Sequence, residues 1–121
     1  MKVTDEDFYN FNNSALPKQA KENTAKNIRK GLEYENALNT PHGKVLQKDL
    51  NDILIGELSK IVSFRHDSNR SVSENYDELM VHINAYKTAQ VLKSRWENIL
   101  KTKEDGLDRV KSVSEQVSKN H

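Results

Sequence analysis

Asp49 and Asp52 stand three residues apart, and Asp77 adjoins Glu78. Carboxylates at such spacing can share acid–base work or hold a cation. Here they fall on polar sides of helical runs, with Lys44 and Lys48 beside the first pair, and read as solvated surface. His42 could act as a general base or a metal ligand near neutral pH. The next histidine, His66, is at the far end of the same predicted helix, so no pair has ligand spacing. The chain has no cysteine, which removes disulfides and thiolate metal sites and fits an intracellular protein. A glycine-rich phosphate loop, a paired-histidine helix motif and a Gly-x-Ser-x-Gly elbow are all missing. The reading is therefore of no catalytic residues, no metal, no cofactor and no enzyme.

The elements that would have to carry any site are helices. Of 121 residues, 35% are apolar and 31% charged, with four glycines and two prolines. That balance predicts long helices, few turns and a thin core. The acidic N-terminus lacks the pattern of a signal peptide, and no apolar run reaches the roughly 20 residues that span a bilayer. A soluble protein with no membrane partner is expected.

Residues 1–16 carry Asp5, Glu6 and Asp7 before Phe8, Tyr9 and Phe11, then Asn12, Asn13 and Ser14. They read as a flexible acidic and aromatic arm, its aromatics folded back on the core or docking on a partner, with residues 17–121 as a single helical domain. A first helix is predicted over 17–38, opened by Pro17 and weakened at Gly31 by about 1 kcal/mol relative to alanine. Thr40 then suits an N-cap, with Pro41 in the first helical position. Val45, Leu46, Leu50, Ile53, Leu54, Leu58, Ile61 and Val62 recur at threes and fours. A polar loop follows, in which Ser71 and Glu74 have capping-box spacing and Ser73 is a competing N-cap. A long helix runs on to about residue 103. Gly106 reads as a stop or swivel, and Leu107, Val110, Val113 and Val117 as a thin stripe beyond it. That stripe continues the long helix or forms a helix of its own. The fold class is all-α: an antiparallel hairpin of about 40–64 and 73–103, an extra N-terminal helix and a short C-terminal helix. Leu50, Ile53, Leu54 and Leu58 are expected to face Leu79, Met80, Ile83 and Tyr86.

Such a hairpin shields one side of each helix, so apolar surface is left for protein partners, including a homo-oligomer. Phe8, Tyr9, Phe11, Trp96, Val110, Val113 and Val117 are the candidate partner-binding residues. Tryptophan is enriched at interface hot spots, and the two terminal stripes are too weak to stand alone. The net charge of +1 gives no overall attraction to nucleic acid. Locally, Lys18, Lys21, Lys26, Arg29 and Lys30 face Glu22 alone, so DNA contact by this basic helix is the alternative function. No convincing helix-turn-helix accompanies it.

The layout around Thr40, Pro41, Gly43, Val45, Leu46 and Leu50, with a polar loop and then "INAYKTAQVLKSRWENIL", resembles small helical proteins of tailed bacteriophages. The resemblance implies a virion or virus-assembly component that acts by protein–protein interaction. It would reside in the bacterial host cytoplasm and then in the virion. It supplies no active-site residues.

Overall fold

The structure is a computed structural model that describes residues 2–120. It is all-helical, with four helices and no strand among the described residues: α1 (Asp5–Asn12), α2 (Lys18–Leu38), α3 (Pro41–Val62) and α4 (Val72–Lys119). The chain divides into two compact units. One comprises Met1–Ala37 and Glu97–His121; the other is Leu38–Trp96.

In the first unit, residues 5–12 are helical, and this corrects the expectation of a flexible arm. Thr4 caps α1: its Oγ1 accepts from the Asp7 N–H, and the Asp7 carboxylate accepts from the Thr4 N–H. The far end of α1 is satisfied as well. Asn13 donates to the Tyr9 carbonyl, Ser14 to that of Phe11, and Lys21 Nζ to those of Asn12 and Ser14. Phe11 joins Ile28 of α2 and Val110 of α4 in the buried core, with Val3, Phe8, Leu16, Leu107 and Val113 packed around it.

Gly31 and Gly106 set the spacing of α2 and α4 in this unit. A Cβ at Gly31 would overlap Cβ and Cγ of Lys103, and one at Gly106 would lie 2.9 Å from Ile28 Cγ1. Each glycine is a slot that a side chain of the other helix fills. The helix therefore does not stop at Gly106: of the two readings left open, the stripe continues the long helix as one α4, and the short separate C-terminal helix of the fold-class expectation is corrected. The thin stripe at Leu107, Val110 and Val113 gains its stability from α1 and α2. Lys103 is buried along its stem, and its ammonium pairs with Glu35 and, at 2.9 Å, with Glu104. Those carboxylates, Glu35 foremost, raise its pKa against the opposing effect of burial.

In the second unit, α3 begins as its residues dictate. Thr40 Oγ1 accepts from the Gly43 N–H at 3.0 Å, and Pro41 opens the helix. Thr40→Ala should cost about 1 kcal/mol in chemical denaturation, through loss of that cap. The loop after α3 is fastened by Asn75, which is buried. Its Oδ1 accepts from the Asp67 N–H at 2.8 Å, and its Nδ2 donates to the Asp67 and Ser71 carbonyls, each at 2.9 Å. The capping box that opens α4 is present: the Glu74 N–H donates to Ser71 Oγ and the Ser71 N–H to the Glu74 carboxylate.

Candidate protein-binding surface

The second unit leaves much of its apolar content in solvent. Val45, Leu46, Ile53, Ile55, Leu58 and Val62 of α3 are exposed, as are Val72, Tyr76, Val81, Val91 and Leu92 of α4. Only Leu50 and Ala89 among its apolar residues are buried. On one side, Leu50 and Ile53 line a groove with Asn84, Ala85, Thr88, Ala89 and Leu92, about 420 Å³ in volume. Small side chains on α4 make that groove, and the leucines and isoleucine give it apolar walls. One polar bridge ties the two helices: Glu57 Oε2 lies 2.6 Å from His82 Nδ1, and Lys60 approaches the other carboxylate oxygen at 3.6 Å. Sequence reasoning missed this pair, although His82 sits three residues after Leu79 and four before Tyr86 on the apolar periodicity.

The residues predicted to bind partners are not gathered into one place. Phe11 and Val110 are consumed by the core of the first unit, and Phe8 and Val113 pack against that core. The arm residue Phe11 and the stripe residue Val110 are therefore not available to a partner in this structure, because a buried side chain has no face left to offer. Tyr9 is exposed on α1. Val113 and Val117 line a cleft of about 310 Å³ with Ser14, Ala15, Leu16, Pro17, Gln116 and Asn120. Trp96 is half-buried and belongs to the second unit. Of the basic set, Lys18 pairs with Glu22 at 3.8 Å and Lys21 is committed to the end of α1. Lys26, Arg29 and Lys30 are exposed on α2.

One constellation has the residue types of a nucleophilic site. Ser114 Oγ donates to Asp7 at 2.8 Å and accepts from Asn10 Nδ2 at 3.0 Å, while Lys111 Nζ lies 3.1 Å from Asp7. Ser114 is only 2% exposed. The Asp7 carboxyl is held well below the usual carboxylate range, first by the Thr4 N–H, then by the Ser114 hydroxyl and Lys111. A carboxylate so stabilised is a poor base, and the group acts as a tie between α1 and α4. Because folding depresses this pKa, the tie contributes fully above the ordinary carboxyl pKa of about 4 and is lost as pH falls below it. Acid titration followed by circular dichroism should show Asp7→Asn less stable than the wild type at neutral pH. The gap should narrow steadily below about pH 4.

Among the described residues no group of three or more His, Cys, Asp or Glu could hold a metal ion. No described helix is long and apolar enough to cross a membrane. No family model, curated protein or solved structure matches the chain.

Proposed function

We propose that the protein is a non-enzymatic structural or adaptor protein that works through protein–protein contacts made by α3 and residues 72–96 of α4. The observation that carries this reading is the set of large apolar side chains left in water on both helices. Contiguous apolar surface of this kind marks interaction sites. In this reading the two segments form an antiparallel hairpin. Glu57 meets His82, while Leu50 and Ile53, earlier in α3, share a groove with Ala85, Ala89 and Leu92, later in α4. The expected facing set is then revised: Leu50 takes the centre, and Ile53 and Leu58 turn to the flanks, where each is nearly half exposed. The likeness to tailed-bacteriophage proteins makes the proposed partner a virion or assembly component, and it rests on sequence layout alone.

The basic side of α2 keeps a second reading, a small DNA-binding packaging or regulatory protein, through Lys26, Arg29 and Lys30. Titration of duplex DNA at low salt separates the two. The protein-contact reading expects no binding. Binding that weakens steeply with salt, and is lost in a Lys26→Ala, Arg29→Ala, Lys30→Ala variant, would favour the second.

A further inference from the structure

We infer that the protein pairs with a second copy of itself through the side of α3 and α4 that lies opposite the groove, an inference that rests on the protein-contact reading above. At 100° per residue, Leu50 lies on the line between the helices, Ile53 turns one way from it, and Leu54, Leu58 and Val62 turn the other. On that second side α3 presents Asn51, Leu54, Ile55, Leu58, Ser59 and Val62, three turns without a charge. The matching side of α4, from Val72 and Tyr76 to Leu79 and Ile83, has none either. Of the neighbouring charges, Glu57 is paired with His82 and Lys60, and Glu74 and Glu78 with Arg70; Asp77 flanks Tyr76, and Lys87, one turn beyond Ile83 on the same side, ends the uncharged stretch.

Absence of charge along the middle of these stripes, with Lys87 left at the rim, selects the occupant. A two-fold interface lays a patch against its own image, so any charge near the axis meets its like. A patch with no charge is free of that repulsion and complements itself. Its extent also suffices. Ile55 is 70% exposed, Val62 72%, Val72 78% and Tyr76 60%. With Leu58 and the half-buried Leu54, Leu79 and Ile83, they offer an area on the order of the ~800 Å² per partner of a standard interface. Tyr76 supplies the aromatic anchor that such interfaces favour.

Sedimentation equilibrium of the full chain up to about 100 µM tests this. The wild type should be a dimer. Ile55→Glu and Val72→Glu should each weaken association about tenfold or more, since each buries two unpaired charges at the interface. Both residues are mostly exposed in the single chain, so helicity by circular dichroism should not change. Leu92→Glu, in the groove, should leave the dimer intact. A wild-type monomer throughout the range would overturn the inference, as would a dimer that survives both Ile55→Glu and Val72→Glu or is lost with Leu92→Glu. A monomer would leave the broader reading standing, because a different protein could still occupy the surface, and cross-linking in cells tests that separately.

Discussion

Phe11→Ala is expected to destabilise the first unit by about 3–5 kcal/mol, as large-to-small changes at buried aromatics do. The side chain is 2% exposed and touches the core that α2 and α4 share. An eight-residue helix has too few hydrogen bonds to persist alone. What holds α1 is therefore Phe11 together with the Asp7–Ser114 tie. Removing the ring should free α1, and amide exchange at residues 5–12 should accelerate to near the rate of an unstructured chain. Urea denaturation reads the stability change. A loss below about 1 kcal/mol, with α1 still protected, would mean that the ring is not part of the core.

The second large effect has a sign that depends on the fold. Gly31→Ala in an isolated helix should stabilise by about 1 kcal/mol, because alanine is the better helix former. In this protein it should destabilise by about 1–3 kcal/mol. The new methyl would overlap Cβ and Cγ of Lys103, the root of that side chain and not its mobile end, so α2 and α4 would have to separate. Separation would also disturb the pairing of the Lys103 ammonium with Glu35, leaving a buried charge poorly compensated. Thermal melting of the variant distinguishes the two signs. A raised melting temperature would show that α2 and α4 do not approach closely at Gly31.

Those two residues also show what could be read from the sequence. Helix starts at Thr40–Pro41 and Ser71–Glu74 were legible because capping is local chemistry within four residues. The cap at Thr4 and Asp7 has the same spacing, but acidic, aromatic and asparagine residues around it read as irregular. Its stability comes from Ser114 and Lys111, more than a hundred positions away, which no local pattern reveals. Gly31 and Gly106 read as a weak point and a stop, because a missing side chain shows its purpose only when the neighbour that fills the space is known. On α3 the apolar periodicity was plain, and so was the surplus of apolar surface. Which residues stay exposed was not, since Ile53 and Leu58 lie on the flanks of a stripe centred on Leu50. The search for a site in the terminal stripes failed for the same reason: α1 and the end of α4 cover each other.

Site-specific photo-cross-linking in cells that express the protein tests the protein-contact account most directly. The cross-linking residue would replace Tyr76 or Leu92, on the two sides of the second unit, and Lys26 or Arg29, on the exposed basic side of α2. The account predicts protein adducts from Tyr76 or Leu92, whether to a second copy or to another chain, and only background from Lys26 and Arg29. Background yield from both positions in the second unit, or adducts to nucleic acid from Lys26 and Arg29, would contradict it.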